Sequence, residues 1–125
     1  MDMIGRNNSD TLSVGGTNRS PELESLMLAA NSEEPFTLAY DIEQYFRRSD
    51  QASFADKGIP VVFIHSGEHA DYHKTGDSHD KINYPKLAHA ARFAFRMTWR
   101  AADLAQRPTY KELEANAPNR VNNDR

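Results

Sequence analysis

The apolar positions of the chain fall into short clusters separated by polar stretches, and their spacing predicts alternating strands and helices. A first apolar piece, Met1, Met3 and Ile4, is stopped by Gly5 and followed by a polar loop. Residues 11–14 read as a short strand ended by Gly15-Gly16. Ser20-Pro21-Glu22 is a helix start: a hydroxyl cap, a proline at the first helical position, then an acid in the first turn. Leu23, Leu26, Met27 and Ala30 follow at helical spacing, which predicts a helix of about ten residues. Pro35 resets the chain, and residues 36–40 read as a strand. Residues 45–49 form a loop, and 50–57 predict one short helix with Gly58 as its stop.

Residues 60–64, Pro-Val-Val-Phe-Ile, are the most apolar run. Short and β-branched, they predict a strand buried on both faces, as in the middle of a parallel or mixed sheet. The stretch 65–83 is polar and holds four of the five histidines. Loops at strand ends carry chemistry in open α/β folds. The longest element is a predicted helix over 85–107, with Leu87, Ala91, Ala94, Thr98, Ala101 and Ala105 as a narrow stripe that lets it sit close to a sheet. Phe93, Phe95, Met97 and Leu104 flank that stripe, and Pro108 ends the helix. Residues 108–125 are polar and asparagine-rich, and are expected to fray. The fold class is therefore α/β, with no internal repeat.

Composition narrows the function classes. A net charge of -3 over 125 residues, with the basic residues spread along the chain, gives no field to attract nucleic acid or an anionic membrane. The absence of cysteine excludes disulfides, thiolate metal sites and cysteine nucleophiles. No apolar stretch approaches the roughly 20 residues needed to span a bilayer. Residues 1–6 lack the basic region and apolar core of a signal peptide, so export is expected only if a signal lies further upstream.

The chemistry-bearing stretch is Gly67-Glu68-His69-Ala70-Asp71-Tyr72-His73-Lys74-Thr75-Gly76-Asp77. His65, His79 and His89 read as surface residues. His73 differs by its neighbours: a tyrosine precedes it and Asp77 follows four residues later, so a carboxylate is at hand to orient the ring nitrogen not used for metal. Gly67, His69, Asp71, Tyr72, His73, Asp77, Lys81 and Ile82, with the long helix after them, resemble the C-terminal block of metallopeptidase family 28. Two more blocks of that family have counterparts here in order: Asp2-Met3-Ile4-Gly5-Arg6, and Arg48-Ser49-Asp50-Gln51 with Phe54 and Gly58-Ile59-Pro60.

The resemblance implies a mixed-sheet zinc-exopeptidase fold with helices packed on the sheet, residues 1–107 being its C-terminal portion. It implies a peptide substrate, two zinc ions in the complete enzyme, and hydrolysis by metal-activated water. Asp2 is implied as a ligand of one zinc and His73 of the other, Tyr72 as a catalytic donor to the oxyanion, and Asp77 as the carboxylate behind His73. Asp50 is implied as a substrate contact, although the histidine that usually follows Arg-Ser-Asp is Gln51 here. The family's remaining ligands and its catalytic glutamate precede the Asp-Met-Ile-Gly block. The expected partner is thus the missing N-terminal half of the same fold, and the chain alone is expected to be inactive. If the three blocks assemble as in the family, Asp2 and His73 converge at one end of the sheet, with Asp77 beside the His73 ring. The alternative is a non-catalytic remnant acting as a binding or structural module.

Overall fold

A computed structural model describes residues 1–113. The elements are β1 (Thr11–Gly15), α1 (Pro21–Asn31), β2 (Thr37–Ala39), α2 (Gln51–Ala55), β3 (Phe63–His65) and α3 (Tyr84–Ala102), with short 3-10 turns at Thr17–Arg19, Glu43–Tyr45 and His79–Lys81. The sheet is three-stranded and mixed, in the order β2-β1-β3. β1 runs parallel to β2, with Thr11 opposite Thr37, and antiparallel to β3, with Ser13 opposite His65. Helices pack on this sheet, so the architecture is α/β.

The start of α1 is set by its sequence. Ser20 is fully buried, and its Oγ accepts the Leu23 backbone N–H while Pro21 occupies the first turn. Leu23, Met27 and Ala30 then form the buried edge of the helix, spaced by four and three residues, and meet Phe93, Ala94 and Met97 of α3 in the main core. Asn31 turns the chain into β2: its amide donates to the Phe36 carbonyl and accepts the Phe36 N–H. A smaller core of Ile42, Phe46, Ala55 and Phe63 lies apart from the first.

The apolar run 60–64 is placed differently from its expected role. The strand begins only at Phe63, and β3 is an outer strand of the described sheet rather than a central one. Val61 packs against the smaller core and Val62 against the main one, without joining the sheet ladder. Hydrophobic patterning reports burial, and here burial does not coincide with strand pairing.

α3 also departs from its expected stripe. The buried residues are Lys86, Ala90, Phe93, Ala94 and Met97, whereas Ala91 faces solvent and Phe95 is 63% exposed. Lys86 is the cause. Its stem is buried, and its ammonium donates to the carbonyls of Arg6 at 2.7 Å and Asn8 at 2.6 Å. Asn83 caps the start through the Lys86 N–H, and the helix stops at Ala102 rather than near 107. Beyond that point Leu104 is 38% exposed, so little burial remains to hold another turn. His89 is not a free surface residue: it stacks on Phe36 with ring centroids 4.1 Å apart and lies 3.4 Å from Glu34.

Residues 108–113, the start of the stretch expected to fray, make contacts with the body of the fold. Thr109 donates to the Glu22 carboxylate, the Lys111 N–H donates to the Arg19 carbonyl at 2.8 Å, and Tyr110 packs on the smaller core. The rest of the expected tail, 114–125, lies outside the described residues. Where the 3-10 turn Thr17–Arg19 meets the Glu43–Tyr45 turn, Arg19 and Glu43 form a buried ion pair at 2.5 Å. The other Glu43 oxygen accepts the Gly16 N–H at 2.9 Å, and the Arg19 guanidinium lies over the Phe46 ring. No helix among the described residues is long and apolar enough to cross a membrane.

Candidate functional site

Two distant stretches of chain meet beyond the end of β3. The Asp2 N–H donates to the Ile64 carbonyl at 3.0 Å, which lays the first residues beside that strand. Asn7 then reaches across: its side-chain amide donates to the carbonyls of Ser66, Gly67 and Glu68 at 2.9, 3.2 and 3.0 Å. Arg6 binds Asp71 at 2.7 Å and also pairs with Asp77, and Lys81 reaches Asp71 at 3.0 Å. Successive turns wind the loop, with the Tyr72 N–H on the His69 carbonyl and the Lys74 N–H on the Asp71 carbonyl. Among the described residues, the non-glycine residues with positive φ are Met3, Asn7 and His73, at 52°, 61° and 55°, and all three belong to these two stretches. Such backbone costs on the order of 1 kcal/mol at each residue and persists only where surrounding contacts enforce it.

Hydrogen bonds from Arg6 and then Lys81 hold the Asp71 carboxyl at about 2, below its ordinary value of 3.8. A depressed carboxylate contributes stability that is fully present above the ordinary value and is lost as pH falls through the folded value. The thermal midpoint should therefore fall between about pH 4 and pH 2. Asp71→Asn should lower the midpoint at neutral pH and flatten that acid limb. Melting curves from pH 2 to 6 check this, and a limb as steep in the variant as in the wild type would refute it.

Asp2, Tyr45, Arg48, His65, Glu68 and Tyr72 surround a small cavity of about 30 Å³. That is room for one or two waters or a single small polar group. Of the residues implied by the family resemblance, Asp2 and Tyr72 face this cavity. His73 is exposed and stacks on Tyr72, with ring centroids 3.9 Å apart. Asp77 is turned toward Arg6 and lies 3.6 Å from Nε2 of His69, so that its partners are these two side chains. Asp50 is exposed just before α2 and makes no capping bond with its side chain.

His65 was expected at the surface and is instead buried, at 7% exposure. Its Nδ1 accepts the Gly67 N–H at 2.8 Å. Burial pushes the imidazole below its ordinary value, against the opposing pull of Asp2, Glu68 and Asp41. A signal for it was present: Phe63 and His65 are two apart on one strand, so a histidine ending an apolar run shares the face of a core residue. His69 also turns its side chain inward, 6% exposed, and its Nδ1 has no hydrogen-bond partner among the described residues. A wider cavity of about 300 Å³ lies between His69, Arg6, Asp77 and the apolar Met3, Ile82 and Leu87.

Among the described residues, no group of three or more histidine, aspartate or glutamate side chains is placed to hold a metal ion. A catalytic zinc takes about three protein ligands. The residues present therefore do not fit a zinc centre by themselves.

No curated protein and no solved structure gives a significant match to the chain. A family profile does match, over residues 1–98, which takes in the Asp-Met-Ile-Gly segment, the Arg-Ser-Asp segment and the Tyr-His loop. On that match, the chain belongs to Peptidase family M28.

Proposed function

We propose that the chain forms part of a zinc-dependent exopeptidase of aminopeptidase type, acting on peptide substrates. The observation that carries this reading is that Asp2 and Tyr72 share one small polar cavity, with His73 stacked on Tyr72, in a member of a peptidase family. In this reading the Tyr72 hydroxyl donates to the oxygen on which negative charge develops, where a fixed donor is most effective. Asp2 and His73 offer one metal donor each. The other donors and the general base come from polypeptide beyond the described residues, so no metal-dependent step falls to this chain by itself.

The lack of a three-donor group favours a second reading, a non-catalytic binding or structural module. One assay separates the two. The 125-residue chain, supplied with zinc, is expected to leave aminoacyl and peptidyl chromogenic substrates intact. Added to a polypeptide carrying the upstream half of an M28 catalytic domain, it is expected to restore turnover, and His73→Ala is expected to abolish it. A mixture that stays inactive would favour the module. Turnover by the chain alone that needs zinc, vanishes in His73→Ala and survives chelation followed by zinc would overturn the assignment of the missing donors.

A further inference from the structure

We infer that His65 is a fixed hydrogen-bond donor to the carbonyl oxygen of a bound aminoacyl group, acting through Nε2 in the cavity it shares with Tyr72. The inference rests on the peptidase reading and adds to it a residue outside the three family blocks. Its basis is the hydrogen bond at the other end of the ring. The Gly67 N–H donates to Nδ1 at 2.8 Å, and a backbone N–H has no lone pair to offer in return. Nδ1 is therefore the bare nitrogen, and the neutral imidazole carries its proton on Nε2.

The rest of the geometry points that proton toward a ligand. His65 ends β3, where the antiparallel pairing with Ser13 fixes its backbone. The side chain is buried against Phe63, with ring centroids 5.3 Å apart, and so cannot swing away. Among the described residues the bond at Nδ1 is its only hydrogen bond, yet the ring lines the cavity with Tyr72 and Arg48. A cavity of about 30 Å³ admits a carbonyl group but not a side chain. Glu68 lines the same cavity, and its carboxylate suits the ammonium next to the carbonyl of an aminoacyl group.

The test uses the full chain at neutral pH. Nitrogen-15 spectra of the His65 ring should show Nδ1 bare and Nε2 protonated; the reverse tautomer overturns the inference whatever the protein's activity. Affinities are then compared for L-leucinamide and for 3-methylbutylamine, an amine of similar shape without the carbonyl. The wild type should favour the amide by about tenfold, the usual reward for a buried donor finding its acceptor. His65→Phe, which keeps an aromatic ring but has no donor, should bring the ratio near one, and His65→Gln should keep most of it. Both variants are checked for a wild-type melting curve; if Phe disrupts the fold, the Gln variant and the tautomer decide. An unchanged ratio in folded His65→Phe overturns the inference and leaves the peptidase reading intact. A wild type that binds neither compound overturns the inference and leaves the peptidase reading to the complementation assay.

Discussion

Gly16→Ala lowers the stability of this chain by about 3 kcal/mol or more, from left-handed backbone strain and overpacking together. A methyl group at residue 16 would sit 2.6 Å from a ring carbon of Phe46 and 2.7 Å from the Val61 carbonyl oxygen. The second contact is with backbone, which cannot rotate aside. The φ of +84° adds the cost of a left-handed conformation for a residue with a Cβ. Gly58 separates the two contributions. It also has positive φ, +65°, but nothing lies within 4 Å of its would-be Cβ. Gly58→Ala should therefore lose only the backbone part, about 1 kcal/mol. Equilibrium urea unfolding of the two variants measures the difference, and equal losses would show that the Phe46 and Val61 contacts relax at no cost.

Glu43→Ala should cost a similar amount, about 3–5 kcal/mol, because it strands a buried cation. Arg19 and Glu43 have side chains only 8% exposed, so the guanidinium is largely shielded from the solvent that would otherwise replace its partner. The same substitution leaves the Gly16 N–H without its acceptor. Removing both charges is gentler than removing one. The pair Arg19→Met and Glu43→Leu should lose less than Glu43→Ala alone, since a buried ion pair repays little more than its own desolvation. A loss below about 1 kcal/mol for Glu43→Ala, or a double variant worse than the single, would contradict this account. A small domain holds roughly 5–15 kcal/mol, so either Gly16→Ala or Glu43→Ala removes a large share of the total.

Local signals in the sequence served well where local chemistry decides the structure. The Ser20-Pro21 start of α1, the resetting proline before β2 and the Gly58 stop each depend on neighbours within a few residues. They failed where distant chain decides. The stripe expected on α3 is rotated because Lys86 counts as polar in any pattern, yet its ammonium finds two carbonyls some eighty residues earlier and its stem joins the buried side. Likewise 60–64 is apolar because Val61 and Val62 each pack in a core, which patterning cannot distinguish from strand pairing. The motifs singled out the loop 67–77 and the segment 2–6, and the fold brings those two stretches together. They could not show that Asp77 turns to Arg6 and His69, or that His65 faces the cavity, because both follow from how the two stretches are joined.

That joining has a kinetic and interpretive side. The Asn7 amide connects residues 59 to 61 positions apart, and closing a chain loop of that length costs about 3–4 kcal/mol of entropy. Such contacts of high sequence separation are made late, after helices that need only near neighbours. The cavity therefore depends on closing that loop, which intact α1 and α3 do not by themselves secure. Lost ligand binding in Gly16→Ala or Glu43→Ala would report a loop that no longer closes, not a missing chemical group. Only a variant whose unfolding midpoint matches the wild type can speak to what His65 or Tyr72 does.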